Sequence, residues 1–194
     1  ASNAFKNFKQ QLIHRAEAIR SRSVKPTEDN MLKLTSDFRN ASLDMRLVDH
    51  TISADEAGAK IQSIADVVAD RYKNSSDPQG AQLIFSDIGT PKAEKETDKE
   101  EGENSNTDDV DAKSVIIYQE IKDNLIRRGI PENEIAFVHD AHNVKQRQEL
   151  FDKVRNGEIR VFIGSTEMMG AGTNFQDHLI ALHHLDCPWK PRDI

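Results

Sequence analysis

Apolar residues in the N-terminal part of the chain recur at helical spacing. Residues 5–22 (FKNFKQQLIHRAEAIRSR) predict a basic, moderately amphipathic helix, and residues 31–50 predict short helical pieces. From Ser53 the stretch SADEAGAKIQSIADVVADRYKNS predicts one amphipathic helix, in which Ser53 and Glu56 have the spacing of a capping box. Together these patterns predict a helical lead-in segment over residues 5–80.

Beyond residue 80, short apolar runs alternate with helical patterns. The predicted strands are 81–87, 135–139, 159–165 and 178–186, and the predicted helices are 111–129 and 143–157. In the second of these helices the predicted inward-facing residues are Val144, Leu150, Phe151 and Val154. Alternation at these lengths predicts an α/β fold with a parallel sheet. Ligands bind such sheets beyond the C-terminal ends of the strands, where the glycine-rich loop within VFIGSTEMMGAGTNFQD (161–177) lies.

An acidic segment follows the first predicted strand. The chain has a net charge of −7, and residues 92–112 hold nine acidic and three basic residues, so this segment carries −6 and the remainder −1. The nearly neutral remainder does not exclude a nucleic-acid partner. Low apolar content predicts a disordered insertion over residues 89–112. The simpler interpretation is a solvated insertion, and the alternative is a DNA mimic that occupies a binding cleft.

Composition argues against several other classes. No run of about 18 apolar residues exists, so no membrane span is predicted. The single cysteine, Cys187, excludes an internal disulfide framework and a multi-thiolate metal site, and weakly indicates a cytoplasmic setting. His183 and His184 are adjacent on a predicted strand, so they should point to opposite faces and no metal site is predicted. Residues 1–4 resemble a cleavage scar from recombinant expression.

The glycine-rich loop fails both standard phosphate-binding templates. Its glycine spacing is one residue too long for a P-loop, and Ala171 stands where the P-loop lysine is needed. The pair Gly170 and Gly172 lacks the third glycine of a dinucleotide fingerprint. Backbone amides near these glycines, with the hydroxyls of Ser165 and Thr166, could still bind an anion. A tight turn would use the same glycines, so the residues alone leave both interpretations open.

A longer series of motifs resembles a known family. The series comprises Arg147, Phe151, the turn Asn156-Gly157, the strand IRVFIGST, the sequence GAGTN and a strand ending in Asp186. It is similar to the second RecA-like domain of superfamily 2 helicases and translocases. QLIFSD resembles the motif IV strand of that family, residues 165–176 resemble motif V, and LDCPWKPRDI resembles the aspartate-Trp-x-Pro run of Swi/Snf-type DNA translocases. The resemblance implies a RecA-like parallel sheet with flanking helices over residues 81–194.

A closer resemblance extends to the N-terminus. DNMLKLTSDFRNASLDMRLVD, GSTEMMGAGTNFQDHLIALHHLDCPWKPRDI and the first helix are similar to the helicase part of large plasmid- and phage-borne proteins. In those proteins a Swi/Snf-like helicase is fused to an adenine-specific DNA methyltransferase.

The resemblance also implies roles for individual residues and partners for the chain. The residues implied to contact a nucleic-acid backbone are Ser86, His139, Ser165 and Thr166. Those implied to face the nucleotide are Gly170, Gly172, Thr173, Asn174 and Gln176. ATP with Mg²⁺ would be held mainly by a first RecA-like domain, which is an implied partner together with DNA, and RNA stays open.

The same resemblance predicts that this chain alone is inactive. The family's Gln-x-x-Gly-Arg motif would begin after Ile194, and the sequence contains neither a Walker A lysine nor a Walker B acid pair. Phosphoryl transfer depends on these groups, so no catalytic residue is assigned and no ATP hydrolysis is expected. One alternative is a non-catalytic nucleic-acid or protein-binding module that reuses the fold. The other is a Rossmann-type enzyme, for which SDIGTPK lacks the glycine fingerprint.

Overall fold

The computed structural model describes residues 2–89, 108–170 and 177–187, with the side chains of 108–116 left out. The chain divides into two compact units, residues 1–61 and 62–194. No helix in the described ranges is long and apolar enough to cross a membrane.

The first unit is helical, as its apolar spacing predicts. It contains α1 (Asn3–Arg20), α2 (Met31–Leu43), a 3₁₀ turn (Met45–Leu47) and α3 (Ala54–Ala57). The hydroxyl of Ser2 accepts a hydrogen bond from the Phe5 backbone N–H at 3.3 Å and caps α1. The first residues therefore take part in the fold, although the sequence interpretation set residues 1–4 aside.

The long helix predicted from Ser53 is wrong in two respects. It is divided into α3 and α4 (Lys60–Asn74), and Gly58 between them has φ 131° and ψ 159°. Residues with a side chain rarely adopt that backbone conformation, so a glycine is suited to the position where α3 ends. The Ser53 side chain makes no capping hydrogen bond, so the predicted capping box does not form.

The second unit contains the predicted parallel sheet. The strands are β1 (Ala81–Phe85), β2 (Ile135–Phe137), β3 (Val161–Gly164) and β4 (Leu179–His184). They pair in parallel in the order β2-β3-β1-β4. The α/β fold class is therefore confirmed. Most of α4, which the sequence interpretation placed in the lead-in segment, belongs to this unit.

Among the described residues, three further helices accompany the sheet: α5 (Asp108–Arg127), α6 (Val144–Arg155) and α7 (Thr166–Gly170). Helix α5 begins inside the segment 89–112 that was predicted to be disordered, so that prediction is wrong at its C-terminal end. Residues 90–107 of the segment lie outside the described residues. Helix α7 replaces the start of the loop predicted after the third strand.

One face of the sheet carries an apolar cluster that packs against α6. Leu83 and Phe85 of β1 pack in one cluster with Phe151 and Val154 of α6, and both α6 residues were predicted to face inward. Leu150 is partly buried against the same cluster. Val144 is 81% exposed because it occupies the first position of α6, so its predicted burial is wrong.

The two histidines of β4 lie on opposite faces, as predicted. His183 Nε2 lies 3.0 Å from Gln82 Oε1, and the Gln82 amide donates to the Val68 carbonyl of α4. His184 instead stacks on Phe85, with the ring centroids 5.1 Å apart. Alternation along the strand separates the two rings.

Candidate nucleic-acid interface

The carboxyl ends of three neighbouring strands form the candidate site. Phe85, the last residue of β1, is in register with Gly164 of β3 and His184 of β4. Parallel pairing therefore brings the segments after these strands to one edge of the sheet. Ser86 and Ser165 are the next residues along β1 and β3.

Asp87 connects the end of β1 to the start of α7. Its Oδ1 accepts a hydrogen bond from the backbone N–H of Thr166 at 2.7 Å. Its Oδ2 accepts from the Thr166 hydroxyl at 3.1 Å. The carboxylate therefore occupies both the N–H and the O–H donor of Thr166.

Asp186 connects the end of β4 to the same turn. Its Oδ2 accepts from the backbone N–H groups of Asp87 at 3.0 Å and Ile88 at 2.6 Å. Asp186 is buried, whereas Asp87 and Ile88 are half-buried, and the Asp186 carboxylate supplies the acceptor for both N–H groups. Asp186 and Asp87 thus form a chain of two carboxylates, here termed the carboxylate relay, which links the ends of β4, β1 and β3.

Ser86 lies beneath this relay. Its residue exposure is 0%, and its hydroxyl donates to the Ile88 carbonyl at 2.8 Å. The Tyr118 hydroxyl of α5 donates to the Ser86 carbonyl at 2.7 Å. Burial raises the pKa of Tyr118 well above its usual value, and the negative charges of Asp186 and Asp87 add to the rise, so the phenol remains a neutral donor. In this arrangement the Ser86 side chain fixes the turn and does not face solvent.

Ser165 and Thr166 begin the segment that resembles motif V. Ser165 is buried, and its hydroxyl accepts from the Met168 backbone N–H at 3.3 Å. This contact explains why a short helix forms where the sequence interpretation expected a loop. Thr166 is half-buried and is therefore the more exposed of the two residues.

Gly164 is required where β3 meets α7. A Cβ atom built on Gly164 would lie 2.8 Å from the sulfur of Met169 and would also collide with Val138. No side chain fits this space without displacing a core residue. Glycine therefore lets the turn that carries Ser165 and Thr166 pack directly on the core.

His139 follows β2, which pairs in parallel with β3 and therefore ends at the same edge of the sheet. It belongs to a 3₁₀ turn (Val138–Asp140) after β2, because the strand ends two residues earlier than predicted. Its ring packs edge-on against Tyr118 at 5.4 Å. Burial lowers its pKa, a tendency that Asp140 opposes and Arg147 reinforces. His139 Nδ1 is buried and has no hydrogen-bond partner among the described residues.

The predicted nucleotide-facing residues are only partly described. Gly170 is the last residue of α7. Gly172, Thr173, Asn174 and Gln176 lie outside the described residues, as does most of the run that resembles the Swi/Snf pattern. Within the described ranges, no group of three or more His, Cys, Asp or Glu side chains is placed to hold a metal ion.

The structure thus places Ser86, Ser165 and Thr166, after β1 and β3, at the same edge of the sheet as His139, after β2. Asp87 and Asp186 are site residues that were not predicted from the sequence. One signal was present, since each acid follows an apolar strand within two residues in the printed sequence. Their pairing with donors on neighbouring strands depends on the strand order, which the sequence pattern does not reveal.

Comparison with protein families bears on the same region. Residues 106–194 match the sequence model described as the helicase conserved C-terminal domain. The matched segment includes β2, β3, β4 and the turn that begins at Ser165, whereas β1 precedes it. No curated protein and no solved structure matched the chain. Residues 106–194 are therefore similar to a helicase C-terminal domain, and the four-stranded parallel sheet fits the RecA-like α/β fold of that family.

Proposed function

We propose that the chain is the C-terminal motor domain of an ATP-dependent DNA helicase or translocase. The helicase match over residues 106–194 carries this proposal, because it includes the strand end and turn at Ser165 and Thr166. In the proposed motor, ATP binds between this domain and a first RecA-like domain. Opening and closing of that cleft moves a DNA backbone across the carboxyl edge of the sheet.

Thr166 is the proposed phosphate contact that the described geometry favours most. It is half-buried, and its backbone N–H and its hydroxyl lie at the same point, where both donate to Asp87. Neutral donors of this kind position a phosphate backbone without reading base sequence. Ser86 and Ser165 are buried, so their proposed contribution is to hold the turn. His139 remains a separate proposed contact at the end of β2.

The nucleotide would be shared between two domains. The sequence contains no G-x-x-x-x-G-K-[ST] motif, so the triphosphate and its Mg²⁺ would be held mainly by the first RecA-like domain. The proposed nucleotide-facing residues of this chain are Gly170, Gly172, Thr173, Asn174 and Gln176. The Swi/Snf subtype, the linkage to an adenine-specific DNA methyltransferase and a cytoplasmic location belong to the same proposal.

Nucleic-acid binding by the 194-residue chain is the first test. Fluorescence anisotropy with labelled single-stranded DNA, duplex DNA and RNA should show binding that weakens as salt rises, because phosphate contacts release counterions. Thr166→Val should weaken binding, since it removes the hydroxyl but keeps the N–H group. Absence of binding to all three probes at low salt would contradict the proposed nucleic-acid contact.

The motor itself needs a second test. The chain alone should not hydrolyse ATP, and a longer protein with a P-loop domain upstream and an arginine-bearing motif downstream should show DNA-stimulated hydrolysis. A gene that encodes neither flanking motif would instead favour a non-catalytic nucleic-acid or protein-binding module. The absence of a P-loop lysine from this sequence is the observation that favours the non-catalytic module as the second candidate.

A further inference from the structure

The donors of Thr166 that the proposed contact requires are already engaged. A threonine offers one backbone N–H and one hydroxyl hydrogen. Asp87 Oδ1 accepts from the N–H at 2.7 Å, and Oδ2 accepts from the hydroxyl at 3.1 Å. A phosphodiester offers the same type of acceptor, an anionic oxygen. The carboxylate and a phosphate therefore compete for one pair of donors.

The main chain of Asp87 is fixed independently of Thr166. Its N–H group donates to Asp186 at 3.0 Å, and the neighbouring Ile88 N–H donates to the same oxygen at 2.6 Å. A change of side-chain rotamer can therefore free Thr166 while the turn stays in place. Because Asp87 is half-buried, its carboxylate can regain water when it turns outward.

We infer that Asp87 is a built-in competitor for nucleic-acid phosphate at Thr166. The phosphate contact forms only when the Asp87 side chain leaves the two donors. This inference rests on the proposed nucleic-acid contact and adds its regulation. While Asp87 occupies both donors of Thr166, weak and non-productive binding is disfavoured. A bound nucleic-acid backbone must displace this carboxylate to contact Thr166.

The test compares two single-charge variants of the 194-residue chain. Asp87→Asn removes the competing charge, and Glu167→Gln removes a charge one residue from Thr166 on an exposed side chain. We expect Asp87→Asn to lower the Kd for labelled DNA by about three- to tenfold, because a charge-assisted competitor is lost. Glu167→Gln should change the Kd by less than about twofold, as a general charge effect.

A double variant checks that the gain acts through Thr166. In a chain that already carries Thr166→Val, the Asp87→Asn substitution should produce a smaller gain, since only the N–H donor remains to be released. Equal gains from Asp87→Asn and Glu167→Gln, or an Asp87→Asn gain unchanged by Thr166→Val, would overturn the inference.

The outcomes separate this inference from the proposed function. Binding by the wild-type chain with no gain in Asp87→Asn would remove the competitor role and leave the nucleic-acid contact standing. No binding by any variant would contradict the proposed function itself. A measurement on the ¹⁵N-labelled wild-type chain needs no substitution: the Thr166 amide resonance should shift on addition of DNA as its acceptor changes, and an unshifted resonance despite binding would overturn the inference.

Discussion

Two carboxylate clusters, one in each unit of the chain, are built in contrasting ways. In the first unit, the Arg15 guanidinium donates to Asp29 at 2.7 and 2.9 Å and to Asp37 at 2.8 Å. In the second, the carboxylates of Asp87 and Asp186 accept from backbone N–H groups and from a hydroxyl. A guanidinium fork matches carboxylate geometry and compensates its charge, whereas amide and hydroxyl donors serve any anionic oxygen. The first arrangement therefore fastens helices, and the second can exchange its acceptor.

The largest predicted effect is on the buried end of the carboxylate relay. Asp186→Ala leaves the N–H groups of Asp87 and Ile88 without their acceptor, and the expected loss is about 2–3 kcal/mol of unfolding free energy. Urea denaturation followed by circular dichroism measures it. Asp186→Asn should lose less, because its amide oxygen can still accept. Equal losses for the two substitutions would show that the hydrogen bonds are not the cause.

The Arg15 cluster should respond less strongly. The Arg15 side chain is 32% exposed, so water screens the ion pairs. Arg15→Ala is expected to cost about 1–2 kcal/mol of unfolding free energy, because three charge-assisted hydrogen bonds are lost at a partly exposed site. Arg15→Lys is the matched control, since it keeps the charge but cannot form the fork. A lysine variant as stable as the wild type would show that charge alone suffices.

Acid should weaken the same cluster. Hydrogen bonding to Arg15 lowers the pKa of Asp29 below its ordinary value of 3.8, so the folded protein binds fewer protons than the unfolded chain. The contribution is complete above pH 3.8 and is lost as pH falls through the folded pKa. The difference in melting temperature between the wild type and Arg15→Ala should therefore shrink in acid. A difference that stays constant through this range would contradict the assignment.

Most of the fold was predictable because alternating apolar runs constrain it strongly. The run AQLIF is buried along its whole length as β1, and Phe151 and Val154 face the core, as the helical period of α6 predicts. The predictions that were wrong concern the ends of helices. Val144 matches the apolar period but occupies an exposed helix start, and Gly58 divides a helix that side-chain periodicity alone would continue.

The candidate site was predictable only in part. Ser165 and Thr166 follow a strand, so their place at the carboxyl edge could be predicted from the alternation of elements. Their acceptors could not, because Asp87 meets Thr166 only when β1 and β3 are neighbours. The crossover from β1 to β2 passes over β3, and no local pattern in the sequence specifies that order.

Thr166→Val tests the contact between Asp87 and Thr166 in the carboxylate relay by its effect on the free energy of unfolding. The substitution removes the hydroxyl bond to Asp87 and keeps the backbone bond, so the expected loss is about 0.5–1.5 kcal/mol of unfolding free energy. Thermal melting of the two proteins measures it. Thr166→Ser restores a hydroxyl and should recover most of the loss. A serine variant as unstable as the valine variant would assign the effect to packing of the methyl group.

The smallest predicted effect concerns His139, a polar group that belongs to neither cluster. Burial lowers its pKa from 6.5, so its stabilising contribution is complete above that pH and is lost as pH falls and the unfolded chain gains a proton. His139→Phe keeps an aromatic ring against Tyr118 and removes both the titration and the unpaired Nδ1 atom. Compared with the wild type, we expect this variant to have an unchanged or slightly higher free energy of unfolding near neutral pH. Its melting temperature should fall less steeply as the pH is lowered. His183, whose pKa burial and Arg71 also lower, should contribute to the slope that remains.

DNA affinity measured on the same His139→Phe variant separates the two roles of His139. A loss of binding without a loss of stability would support the proposed backbone contact. Unchanged binding would restrict His139 to packing on Tyr118.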